Sequence, residues 1–78
     1  MRAAIYAEPI RANIKWVDVV AYLRHLGADI TSVSGGSAIV ATLNGIKGHF
    51  HKPHPGNEAK KYQIRDLREF LEEAGVGP

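Results

Sequence analysis

The dipeptide Asn44-Gly45 separates SAIVATL from IKGHFH, and it constrains this chain more than any other feature. A two-residue hairpin loop needs positive φ at both central positions, which asparagine and glycine supply at little steric cost. Such a loop fixes the register. Leu43 then faces Ile46, Thr42 faces Lys47, Ala41 faces Gly48, Val40 faces His49, Ile39 faces Phe50 and Ala38 faces His51. Side chains alternate between the two sides of a sheet. Leu43, Ile46, Ala41, Gly48, Ile39 and Phe50 therefore share the side that belongs against helices. Thr42, Lys47, Val40, His49, Ala38 and His51 share the open side. A slip of one residue would bury Lys47 and two histidines, so the pairing is strongly specified.

Two amphipathic segments flank the hairpin. From about Lys15, KWVDVVAYLRHLG predicts a helix, with Trp16, Val19, Val20, Leu23 and Leu26 on one stripe and Gly27 as its stop. KYQIRDLREFLEEAG predicts a second, with Ile64, Leu67, Leu71 and Ala74 at helical spacing, Phe70 beside them, and Gly75 as its end. Between the first helix and the hairpin, ADITSVS has strand character with a weak alternation, and Gly35-Gly36 turns the chain. The expected order is helix, three strands, helix, with both helices on one side of a small antiparallel sheet. That is a two-layer α+β domain.

With 78 residues the chain is expected to form one domain, residues 1–78, near the lower end of what folds unaided. Residues 15–76 form its core and residues 1–14 a weakly patterned lead-in, in which AAIYA is either a short strand or a first helical turn. A composition of 45% hydrophobic and 23% charged residues is that of globular material. Without cysteine, neither a disulfide nor a thiolate metal site is possible, which fits a cytoplasmic protein. No apolar run is long enough to span a membrane, and no signal-peptide pattern opens the chain.

The formal charge of +2 is unevenly spread. Lys47, Lys52, Lys60, Lys61, Arg65 and Arg68 stand against only Glu58 and Asp66 between positions 47 and 68, while Glu69, Glu72 and Glu73 follow. A basic stretch of this kind is a footprint for phosphates or simply a solvated face. HFHKPH adds His49, His51 and His54 to the same stretch. A metal site needs further convergent ligands, and Glu58 is the only carboxylate close by, so no metal and no cofactor is expected. Two other readings remain for the histidines. They cover an open face as ordinary polar residues, or they act on RNA, because an imidazole titrates near neutrality and takes a proton from a ribose 2′-OH without a metal. Neighbouring lysines would then offset charge growing on the phosphate.

The pattern WVDVVAYLRHLGADI, then Gly36-Ser37 at the head of a strand, then FHKPHP and RDLREFLEEAGV, resembles the HicA family of toxins over Trp16 to Val76. The resemblance implies a fold like that of double-stranded-RNA-binding domains, metal-independent cleavage of mRNA that blocks translation, and neutralisation by a HicB-type antitoxin. It also implies a catalytic histidine one or two places beyond the serine. Here those places hold Ala38 and Ile39. Since Ile39 belongs to the core side with Phe50, the equivalent position is Ala38. His51, directly across the hairpin, becomes the leading surviving imidazole, with His49 and His54 behind it. Lys47 and Lys52 are expected at the phosphate, Lys60, Lys61 and Arg65 along the RNA backbone, and Gly36 and Ser37 in shaping the strand entrance. Three origins fit the alanine: a histidine replaced to disable a toxic nuclease, a natural variant whose chemistry moved to His51 or His49, or a copy that kept binding without reaction. The alternatives to a nuclease are a non-catalytic RNA-binding module and a pure protein-interaction domain.

Overall fold

In the structure, a computed structural model describing residues 1–54 and 56–77, Asn44 (φ 52°) and Gly45 (φ 81°) both take the left-handed conformation that the hairpin turn demands. The strands they join, β2 (Ala38–Leu43) and β3 (Ile46–His51), pair in the expected register at all six positions. A preceding strand, β1 (Asp29–Val33), pairs antiparallel with β2, from Asp29 opposite Thr42 to Val33 opposite Ala38. The sheet order is β1-β2-β3, so β2 is central and β3 forms one edge. A tight turn through Ser34–Gly36 links β1 to β2. There the Ser37 hydroxyl donates to the Ser34 carbonyl at 2.9 Å, and the Lys52 amide donates to the Ser37 carbonyl at 2.8 Å. Gly36 and Ser37 thus shape the strand entrance.

Both long helices lie against the Ile39–Phe50 side of the sheet. Helix α2 (Trp16–His25) buries Trp16, Val19 and Leu23; helix α3 (Lys61–Glu73) buries Ile64, Leu67, Phe70 and Leu71. These residues join Ile39, Ala41, Leu43 and Phe50 in one core. The helices end alike. At α2 the Gly27 and Ala28 amides return to the Arg24 and Leu23 carbonyls at 2.9 and 3.0 Å. At α3 the Gly75 and Val76 amides return to Glu72 and Leu71 at 3.0 and 2.9 Å, the pairing that closes a helix on a left-handed residue. Asn44 also donates its side-chain amide to the Ala74 carbonyl at 2.8 Å, so the turn that sets the register also satisfies an orphan group at the end of α3. The architecture is the expected two-layer α+β one.

Residues 1–14 are more than a lead-in. A helical turn, α1 (Arg2–Ile5), places Ile5 in the core with no accessible surface, and Ile14 is buried with it. Arg68 fastens this segment. Its guanidinium donates to the Ile5 and Ala7 carbonyls and to the Glu8 carboxylate, each at 2.7 Å, and lies 5.7 Å from the centre of the Tyr6 ring. Burial, with Glu72 and Tyr22 adding to it, pushes the Tyr6 phenol up from its ordinary pKa. Further along, the Trp16 amide donates to Asn57 and the Ala59 amide to Ile14, tying the segment to the loop before α3.

Gly48 on β3 sits under the edge-to-face pair Phe50–Phe70, whose ring centres are 5.5 Å apart. A Cβ there would lie 2.7 Å from Phe50 Cε2 and 2.7 Å from Phe70 Cδ1. Gly48→Ala must therefore spread the two rings, an overpacking cost of about 1–3 kcal/mol. The expected result is a lower urea midpoint at unchanged m-value; an unaltered midpoint contradicts this packing.

Candidate functional site

The outer edge of β3 gathers the chemistry. His49 and His51 alternate out onto the open side, both exposed, with ring centres 5.0 Å apart and planes inclined at 54°. Strand pleating brings these two rings together, since residues i and i+2 share a side. α3 crosses beside the edge and completes a cleft lined by His49, Phe50, His51, Tyr62, Gln63 and Asp66. The cleft continues past Lys47, with Glu69 and Glu73 on its helical wall.

Gln63 holds the two walls together. It is the buried polar side chain of this region, 6% exposed, and it works at both ends. Its Oε1 accepts from the Lys60 amide at 2.8 Å, capping α3, while its Nε2 donates to the His51 carbonyl at 2.8 Å. The start of the helix and the backbone of His51 are thereby fixed relative to each other. Sequence reasoning passed over Gln63, Tyr62 and Asp66. A glutamine three residues past a helix start is a capping signal, and Tyr62 is an aromatic out of phase with the apolar stripe.

Ala38 lies directly opposite His51 and opposite Val33, on the open side as side-chain alternation requires. It nevertheless has no accessible surface, and it is not joined to the core cluster. β2 is the central strand, so Ala38 has a paired residue on each side. The position expected to carry the base is therefore sealed, while the histidine across from it is open.

The remaining candidates do not converge. His54 is exposed beyond the end of β3, after the buried Pro53; the sequence Pro55-Gly56-Asn57 has turn chemistry that would stiffen this exit, but Pro55 lies outside the described residues. Lys52 lines a different groove, with Trp16, Val20 and Ile39. Lys60 and Lys61 border a third with Asn57 and Glu58, next to the N-terminal end of α3. Arg65 is exposed on α3. Two features of the charge pattern need correction. Arg68 is spent on the N-terminal segment and leaves the basic stretch. Glu69 and Glu73, outside that stretch in sequence, return to Lys47 and His49 because α3 runs along β3. Among the described residues no group of three or more His, Asp or Glu side chains is arranged to hold a metal ion, and no helix is long and apolar enough to cross a membrane.

Fold and site together define a small two-layer α+β protein with paired imidazoles at an exposed sheet edge. The family model described as "HicA toxin of bacterial toxin-antitoxin" matches residues 16–76, and the chain belongs to this family of toxins. The searches of curated proteins and of solved structures returned no match. The matched span begins at the first residue of α2, so α1 and the segment fastened by Arg68 lie before it.

Proposed function

We propose that this toxin binds messenger RNA along the β3–α3 edge and cleaves it without a metal, and that a HicB-type antitoxin neutralises it by covering that edge. The observation that carries the reading is the exposed pair His49–His51, with ring centres 5.0 Å apart, beside Lys47. In the reaction, one imidazole takes the proton of a ribose 2′-OH, the 2′-oxygen attacks the adjacent phosphorus, and the bond to the 5′-oxygen breaks. The leaving oxygen receives a proton from the second imidazole. The products are a 2′,3′-cyclic phosphate and a free 5′-OH. His51 takes the role of base because Gln63 fixes its backbone, and His49 that of acid. One ring must be neutral and the other protonated, so the rate is bell-shaped in pH. Lys47 offsets charge on the phosphoryl oxygens. The test is incubation of end-labelled RNA with the purified protein in EDTA. Cleavage with cyclic phosphate ends is expected; intact RNA contradicts the reaction.

A second reading has its own support in Ala38. With alanine at the family's catalytic position, a domain that binds RNA and leaves it whole is the alternative, and stable binding without cleavage in the same experiment selects it. Ala38→His distinguishes a disabled toxin from a binding module by toxicity on induction. The new ring has to rise between Val33 and His51, since Ala38 itself has no free surface.

Lys60 and Lys61 are exposed at the start of α3 and would follow the RNA backbone next to the cleft. Alanine at both is expected to weaken RNA binding for every sequence alike. The slope of log K against log salt should fall by roughly one for each phosphate that is no longer neutralised. An unchanged slope removes these lysines from the RNA path.

A further inference from the structure

We propose that Tyr62 and Asp66 form a nucleobase subsite within the His49–His51 cleft, where Tyr62 stacks on one unpaired base of single-stranded RNA and Asp66 accepts from that base's amino edge. The inference rests on the RNA-binding reading and adds which part of the RNA enters the cleft.

Tyr62 is 52% exposed, although large aromatics gain most from burial. Its place on α3 explains why it cannot reach the core. The next two residues, Gln63 and Ile64, turn inward, and Tyr62 precedes them on the outer side of the first turn. It lines the same cleft as both imidazoles. An exposed ring fixed on a rigid helix beside an acid–base pair suits stacking on an unstacked base, the usual way proteins hold single-stranded RNA. Stacking on one base would leave its ribose and phosphate at the neighbouring imidazoles.

Asp66 follows Tyr62 by four residues, so the two side chains are neighbours on one side of the helix. A carboxylate next to a polyanion is unfavourable unless donors face it. Nucleobases carry such donors, the amino groups of cytosine and adenine among them, whereas the corresponding edge of uracil offers an acceptor. Asp66 thus favours an amino-bearing base and repels a bare phosphate, which keeps the backbone off the middle of α3 and leaves it to Lys47 on β3 and to the lysines at the start of the helix.

The test is fluorescence anisotropy with a short, non-cleavable 2′-O-methyl RNA, intact or carrying one abasic position moved along its length. Tyr62→Ala is expected to raise Kd roughly 5- to 150-fold, with Tyr62→Phe close to wild type. For the wild type, one abasic position should cost as much as losing the ring; for Tyr62→Ala, that position should cost nothing further. Asp66→Asn should reduce the preference for oligo(C) over oligo(U). An abasic penalty that persists in Tyr62→Ala, or binding unchanged by that substitution, overturns the subsite while leaving RNA binding intact. Failure of the wild type to bind any of these RNAs overturns both readings.

Discussion

His51→Ala is expected to lower the rate of RNA cleavage about 10²–10⁴-fold, the usual worth of a positioned acid or base, with little change in melting temperature. The ring is exposed and packs on His49 rather than on the core, and surface changes away from packing cost within about 0.5 kcal/mol. Binding of the non-cleavable RNA should persist, because the loss falls on the proton transfer rather than on stacking or on the phosphates. His49→Ala gives a separate outcome. If His49 protonates the leaving oxygen, its loss is rescued by a substrate whose leaving group is a weakly basic phenolate, which needs no proton. His51→Ala is not rescued in this way. His54→Ala is expected to leave cleavage near wild type, since His54 stands outside the cleft. Equal activity in the wild type and His51→Ala assigns the chemistry elsewhere.

The second large effect is on stability. Arg68→Ala removes three hydrogen bonds to Ile5, Ala7 and Glu8 and leaves two half-buried carbonyls without a donor. Hydrogen bonds to charged groups contribute about 1.5–3 kcal/mol each, and those of one guanidinium do not add independently. We expect a total loss of about 2–4 kcal/mol, weighted towards the two carbonyls. The Glu8 carboxylate is largely solvent-exposed, so that ion pair contributes little. For a domain of this size, whose whole stability is of order 4–12 kcal/mol, the loss is severe. Arg68→Lys should recover only part of it, because an ammonium lacks the planar fork that reaches several acceptors. The check is denaturant unfolding together with amide exchange of residues 1–8. If the midpoint is unmoved and those amides keep their protection, the N-terminal segment is held by something other than Arg68.

The two predictions draw on parts of the molecule that were unequally legible in the sequence. The hairpin was readable because Asn44-Gly45 admits one tight turn and the alternation on either side admits one register. The helices were readable from their apolar spacing and glycine stops. β1 was faint because an edge strand tolerates polar residues on both sides; its inward position 32 is an exposed serine. Residues 1–14 carried only a weak signal, a strand or helical turn at AAIYA, because the arginine that fastens them is about sixty residues away and, within a charged helix, resembles any solvated cation. The side of the sheet occupied by Ala38 followed from parity, whereas its complete burial did not. Tyr62 and Asp66 entered the site because α3 packs beside β3; the out-of-phase tyrosine was a local sign of exposure, but not of which strand it would face.

In the function proposed above, RNA meets the protein at the β3–α3 edge, whether or not it is cut there. The most direct measurement is an NMR titration of the four histidine rings and the tyrosines with the non-cleavable RNA. His49, His51 and Tyr62 should shift together and saturate at one concentration, while His25 at the end of α2 stays still. Shifts at His25 with none at His49 and His51 would place the RNA on another surface and contradict the proposed site.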